Sequence, residues 1–342
     1  MARKLSILKC LILCCIVYAL GVTFMLGFYS MSAVNINSCP CPETIINQPV
    51  KSRSHLANQS VAVPREDNFS KGDNTSWDQH KLGVIVPFRD RIEELVQFVP
   101  YIHSYFSRKK VRHKIYVINQ MDNFRFNRAY LINVGFQLSH NECDYIAMHD
   151  VDLLPLNMNL NYSYPDKGPF HVSAPGLHPV YNYPTFIGGI LLINNKHFEM
   201  INGMSNRYWG WGREDDELHV RLRKAGLTVL HPKNITTGKQ TFKHVHNTRN
   251  KPRDNKRYFD QSSKTNRMDR ETGLKTAKYD MISANSLVID GAPAEFINVK
   301  LYCDIQKTPW CLKPQDHHLV NKSAMVVPKP LPQGKEPPKK KD

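Results

Sequence analysis

Asp150 and Asp152 stand one residue apart, directly after the apolar run Tyr145 to Met148 and before Leu153-Leu154-Pro155. Acids at i and i+2 of an extended segment project to one side, where like charges repel unless a cation sits with them. Turn chemistry explains most isolated triplets of this kind; the position at the end of an apolar strand is what points here to a metal. His244-Val245-His246 repeats the spacing with imidazoles, which can chelate one ion from an extended segment or form an ordinary surface pair. Together the two motifs offer mixed oxygen and nitrogen ligands, suited to Mn²⁺ bridging a diphosphate, with Zn²⁺ as the inorganic competitor.

A third element is Tyr208-Trp209-Gly210-Trp211-Gly212-Arg213-Glu214-Asp215-Asp216-Glu217-Leu218. Glycines on both sides of Trp211 let a bulky ring move or approach a ligand closely. The acids that follow open a helix, where they favourably meet the macrodipole whatever else they do. They are not equivalent, because Asp215 shares a stripe with Leu218, Leu222 and Ala225, whereas Glu217 can pair with Arg221 one turn on. Asp215 is therefore expected to face inward, beside a Trp that could stack on a sugar, and is the candidate general base. Pro87-Phe88-Arg89-Asp90-Arg91 and Phe126-Asn127-Arg128 carry aromatic and cationic groups that could hold a base and a phosphate, or equally form caps and salt bridges.

These residues need a scaffold. Leu82 to Phe88, Lys114 to Asn119, Tyr145 to Met148 and Ile190 to Ile193 read as buried strands. Ile92 to Phe106, weakened by Pro100, Arg128 to Leu138, and Glu214 to Ala225, ended by Gly226, read as helices. The alternation implies an α/β domain with a mostly parallel sheet covered on both faces, whose ligands gather at the carboxyl ends of the strands.

Outside the domain, Cys10 to Tyr29 is an uncharged run preceded by Arg3, Lys4 and Lys9. About 20 apolar residues cross the hydrocarbon layer, and the basic flank keeps residues 1–9 cytoplasmic and everything after the run luminal. A cleaved signal peptide is the rival, for which the run is long. Residues 30–79 read as a luminal stem, 80–327 as the globular domain and 328–342 as a disordered basic tail. Sequons at Asn58, Asn68, Asn74, Asn161, Asn234 and Asn321 suit a glycosylated luminal chain. Of the eight cysteines, Cys303 and Cys311 close a short loop and are the preferred disulfide, while Cys143 precedes a core strand as a buried thiol. A net charge of +16 asks for an acidic partner, and in a lumen that means a nucleotide-sugar, an acidic glycan or an acidic acceptor protein rather than nucleic acid.

Pro87 to Arg91, Phe126 to Arg128, Asp150 to Asp152, Phe186 to Ile193, Trp209 to Glu217 and His244 to His246, in this order, resemble the β-1,4-galactosyltransferase family over roughly residues 80 to 260. Gly212-Arg213-Glu214-Asp215-Asp216 and the His-x-His pair replace the Gly-Gly-Glu-Asp-Asp of most members, as in the branch that acts on xylose. The resemblance implies a GT-A, Rossmann-like fold and an inverting transfer of galactose from UDP-galactose to O4 of xylose on a proteoglycan core protein. It places the protein in the Golgi membrane as a single-pass type II protein. By motif position, Asp152, His244 and His246 would bind Mn²⁺. Pro87, Phe88, Arg89, Asp90, Arg91, Phe126, Asn127, Arg128, Val151, Tyr181, Val245 and Arg253 would contact the donor together with those ligands. Trp211 would bridge donor and acceptor, and Arg213, Glu214, Asp215 and Asp216 would line the acceptor side, with Asp215 as base. A related Golgi transferase with another acceptor, or with a donor such as UDP-N-acetylgalactosamine, is the alternative within enzymes. A non-catalytic glycan-binding luminal protein is the alternative outside them, and it has no use for a base.

Overall fold

The computed structural model describes residues 77–323, apart from 247, 248 and 250. The expected anchor at 10–29, its cytoplasmic tail, nearly all of the stem, the basic tail and the sequons at Asn58, Asn68 and Asn74 lie outside these residues. Among the described residues, no helix is long and apolar enough to cross a membrane.

The strands are β1 (Leu82–Phe88), β2 (His113–Gln120), β3 (Tyr145–His149), β4 (Leu153–Pro155), β5 (Phe170–His171), β6 (Ile190–Asn194), β7 (Phe242–His244), β8 (Tyr279–Ile289) and β9 (Ala292–Leu301). The α-helices are α1 (Ile92–Arg108), α2 (Arg128–Ser139), α3 (Asn195–Met200), α4 (Glu214–Lys224), α5 (Gln261–Lys264) and α6 (His318–Ser323). β1 is buried along its whole length because it lies between two parallel neighbours, with Leu82 opposite His113 of β2 and Tyr145 of β3. Successive side chains of a strand point to opposite faces. Leu82, Val84, Val86 and Phe88 accordingly enter one core with Phe98, Val99, Ile102 and Phe106 of α1. Ile85 enters the other with Leu131, Val134 and Phe136 of α2. Pro87 sits in this central strand at little cost, since pairing with β3 ends at Ile85. Pro100 does not break α1 either, because the buried stripe of that helix offsets one missing hydrogen bond.

The sheet is less parallel than the sequence pattern implies. Its order is β5-β6-β3-β1-β2-β9-β8; β3, β1, β2 and β9 run parallel, while β5–β6, β6–β3 and β9–β8 are antiparallel. The β8–β9 hairpin is an addition that hydrophobic periodicity does not reveal, for β8 is exposed along most of its length. Its turn, Asp290-Gly291, takes positive φ at both residues, the Asp-Gly hairpin signature, and that signal was in the sequence.

A separate two-stranded sheet, β4 with β7, positions the chemistry. Leu153 pairs with His244, and the amide of Val245 donates to the carbonyl of Asp152 at 2.8 Å. The histidine motif is thereby fastened beside the aspartate motif at the carboxyl end of β3.

Candidate active site

β3 ends at His149, fully buried with its ring edge-on to Phe98, and the chain turns through Asp150-Val151-Asp152. The two acids then part company. Asp150 accepts a 2.7 Å hydrogen bond from Nε of Arg128, while Asp152 faces the histidines, Oδ2 lying 3.2 Å from Nδ1 of His246 and 3.8 Å from Nε2 of His244. Burial raises Asp150 above the ordinary carboxylate value despite Arg128. Burial would raise Asp152 too, but the hydrogen bond to His246 and the charges of His244, His246 and Arg91 outweigh it and hold this carboxyl low. Asp152 is thus kept as an anion. Burial pushes His244 below its usual value, toward the neutral form that can ligate.

Around this centre runs a cavity lined by Pro87, Arg89 and Arg91, by Phe126 and Arg128, by Asp150, Val151, Asp152 and Leu153, by His178 and Tyr181, by Gly210, Trp211 and Glu214, by His244 and His246, and by Pro252, Arg253 and Asp254. Most residues singled out in the sequence are brought together here. Phe88, Asp90, Asn127, Arg213, Asp215, Asp216 and Val245 are not among the lining residues. Phe88 packs edge-on to Phe296 in the core, and Val245 packs against the same core. Asp90 is exposed at a left-handed turn. Asn127 is fully buried, where its side chain caps α2 by accepting from the amide of Tyr130 and donates to the carbonyl of Asn206. For Asn127 the capping alternative describes what the side chain does.

The arginines divide similarly. Arg89 donates to the carbonyls of Gln120, Asp122 and Phe124, bracing the loop after β2. Arg91 reaches Glu94 and lies 2.7 Å from Nδ1 of His246. Arg253 stacks 4.9 Å from the ring centre of Trp211 and 5.6 Å from that of Tyr181. His178, which sequence patterns did not single out, explains the placement of Tyr181: its Nδ1 accepts from the amides of Val180 and Tyr181, both at 3.0 Å. Burial pushes this histidine down to about 4, so it stays a neutral acceptor.

In the Trp-Gly segment, Trp209 is buried and Trp211 is 42% exposed over the cavity. Positive φ at Gly210, Gly212 and Arg213 reverses the chain into α4. Arg213 is exposed there. Glu214 lines the cavity, and its Oε2 is buried without a hydrogen-bond partner. Asp215 follows Glu214 in the chain, with Oδ1 accepting from the amide of Asp216. Burial first, and then the charges of Glu214 and Asp216, push it up to about 7. The hydroxyl of Tyr183 donates to Asp216. The stripe reading needs one correction. Glu217 and Arg221 do pair, but both are buried, because the guanidinium also donates to the carbonyls of Asn202, Asp269 and Thr272.

Farther away, Cys303 is bonded to Cys311 and Cys143 is a buried free thiol. Asn161 and Asn234 are exposed.

Residues 41–165 match the family described as the N-terminal region of glycosyl transferase group 7, and residues 168–246 that described as the N-terminal domain of galactosyltransferase. β-1,4-Galactosyltransferase 7 of Mus musculus is 55% identical over 240 residues, covering 70% of this chain and 73% of its own. The Drosophila melanogaster protein of that name is 46% identical over 303 residues, 86% and 93% of the two chains. The chain belongs to the β-1,4-galactosyltransferase family. A crystal structure of the catalytic domain of Drosophila β-1,4-galactosyltransferase 7 with xylobiose superposes on this galactosyltransferase with a TM-score of 0.67, 54% identity, and coverage of 68% of this chain and 98% of the other. A mutant of that enzyme, with manganese, UDP-Gal and xylobiose bound, gives the same TM-score at 53% identity, covering 68% and 99%. The fold of this galactosyltransferase is accordingly GT-A-like.

Its donor set fits manganese. One anionic carboxylate and two imidazoles converge, and Nε2 of His246 is buried without a partner. Among the described residues no group of three or more such side chains is already set as a finished cage. The guanidinium of Arg91 stands 2.7 Å from Nδ1, the other ring nitrogen of His246.

Proposed function

We propose that this galactosyltransferase moves galactose from UDP-galactose to O4 of xylose on a proteoglycan core protein, with inversion and with Mn²⁺ as cofactor. The observation that carries this reading is Asp152 held anionic between His244 and His246 in the cavity where Trp211 and Tyr181 face each other at 6.3 Å. The xylobiose complexes of the Drosophila relative support xylose as the acceptor sugar.

Inversion requires a single displacement, so no enzyme nucleophile is involved. Asp152, His244 and His246 hold the metal, which when bound supplies Lewis-acid stabilisation of the departing diphosphate. Arg253 and Tyr181 flank the donor, while the rim carries Trp211 as a platform on which a sugar ring stacks. Asp215 accepts the proton of the acceptor hydroxyl; with its value near 7 it is half ionised at neutral pH and matched to that task. Glu214 and Asp216, on either side, line the acceptor side with Arg213. In the cell, residues 10–29 anchor the protein in the Golgi membrane, 30–79 form the stem and 80–327 the luminal catalytic domain. This topology rests on the uncharged run and its basic flank.

The test uses purified protein with UDP-galactose, Mn²⁺ and a xyloside, with N-acetylglucosamine as the competing acceptor. Transfer to xyloside in preference to N-acetylglucosamine is expected; the reverse preference would reject the acceptor assignment. Equal use of UDP-N-acetylgalactosamine would reject the donor.

A further inference from the structure

We infer that Arg125 is a positioning residue for Trp211, acting through Asp254. The inference rests on the proposed reading that Trp211 bridges donor and acceptor. Arg125 is only 2% exposed, and a guanidinium is tolerated in such a place when its five N–H groups find acceptors. Nε donates to Oδ2 of Asp254 at 2.7 Å, and Nη2 to Oδ1 of Asp254 at 2.9 Å and the carbonyl of Lys256 at 2.7 Å. Nη1 donates to Oε1 of Gln261 at 3.1 Å and the carbonyl of Trp310 at 3.0 Å. The pair with Asp254 is bidentate, the geometry that gives an arginine–carboxylate contact direction as well as strength.

Three backbone hydrogen bonds of the Trp209 to Trp211 segment lead back to this hub, while the carbonyl of Trp211 accepts separately from Nη2 of Arg257 at 2.9 Å. The amide of Trp211 donates to the carbonyl of Asp254 at 2.7 Å. The amide of Gly210 donates to the carbonyl of Phe126, the residue after Arg125, at 2.9 Å. Gln261, a partner of Arg125, donates to the carbonyl of Trp209 at 2.8 Å. The chain passes so close over the guanidinium that a Cβ on Gly210, whose φ is +82°, would lie 2.1 Å from Nη2 of Arg125. Arg253, stacked on Trp211, immediately precedes Asp254 in the chain. A half-exposed ring on a glycine-flanked turn has little packing to hold it; the buried fork below supplies that hold. Lysine at 125 would keep the charge but, with three donors on one nitrogen, could not span Asp254, Lys256 and Trp310 together.

The experiment places Arg125→Lys and Asp254→Asn, in the full chain, each in the wild-type background and in a Trp211→Ala background. Galactose transfer to a xyloside is measured, with UDP and Mn²⁺ affinity by calorimetry. Each single variant is expected to lower kcat/KM for the xyloside about tenfold or more while UDP and Mn²⁺ affinities stay within about twofold, because Asp152, His244 and His246 are untouched. With the ring gone there is nothing left to position, so each change should add less than about twofold in the Trp211→Ala background. Additive losses in the two backgrounds, a matching loss of UDP affinity, or unchanged kcat/KM would each overturn the inference. Absence of transfer by the wild type would overturn the proposed function and this inference with it, whereas an active wild type with additive variants overturns this inference alone. Should Arg125→Lys fail to fold, Asp254→Asn, which alters a side chain that is 44% exposed, carries the same comparison.

Discussion

A Cβ built on Gly188 would lie 2.6 Å from Oδ2 of Asp215, so the bare α-carbon of Gly188 forms one wall of the carboxylate's pocket. That wall cannot retreat, because the carbonyl of Gly188 accepts from Nε2 of His171 and from the hydroxyl of Ser173, both at 2.8 Å. Gly188→Ala should therefore displace Asp215 or the ring of Phe186, which a Cβ would meet at 2.7 Å. Overpacking of this kind costs about 1–3 kcal/mol of stability. Turnover should fall about tenfold or more, read from kcat beside the unfolding midpoint; an alanine variant with full turnover would show that the carboxylate works from elsewhere.

Asp215→Asn keeps size and most hydrogen bonds and removes the basic oxygen. General-base assistance is worth about 10²- to 10⁴-fold, so kcat should collapse by that factor while calorimetry still detects UDP-galactose and Mn²⁺ binding. If Asp215→Asn keeps more than about a tenth of the rate while Asp216→Asn falls below about a hundredth, the base is the other carboxylate.

The pH profile follows from the raised value of Asp215. A base must be ionised, and with burial and the charges of Glu214 and Asp216 lifting it to about 7, its ionised fraction falls as pH drops below that point. kcat/KM for the xyloside should then decline about tenfold per unit below about pH 7. Asp216→Asn removes one of the charges that raise it, so the acid limb should move to lower pH whatever happens to its height. A limb that stays in place would assign the titration to another group.

His246→Ala leaves Asp152 with one imidazole. Ligand loss typically costs metal affinity severely, so the Mn²⁺ concentration for half-maximal activity should rise by about two orders of magnitude or more while far-ultraviolet circular dichroism is unchanged. Ordinary Mn²⁺ dependence in this variant would remove the histidine pair from the metal site.

Glu217→Gln strips the charge partner from Arg221 in a place where both side chains are 2% exposed. Breaking one half of a buried pair is worth about 3–5 kcal/mol, and the loss should be visible in the urea midpoint. A change under about 1 kcal/mol would mean that the carbonyls of Asn202, Asp269 and Thr272 alone satisfy the guanidinium.

The strands β1, β2, β3 and β6, the helices α1, α2 and α4, and the motifs at their ends are legible in the amino-acid sequence alone. Each is a local pattern, an apolar run, a 3.6-residue stripe or a pair at i and i+2, and local geometry fixes where such side chains point. How those motifs share work depends on contacts between segments far apart in the chain. Pairing of β4 with β7 brings His244 and His246 to Asp152, and Arg128 draws Asp150 away from them. The burial of Glu217, the capping role of Asn127 and the hub at Arg125 also depend on carbonyls and side chains far along the chain. A polar residue does not carry in its own sequence neighbourhood the partner that will satisfy it; only the folded chain sets which buried donor meets which acceptor.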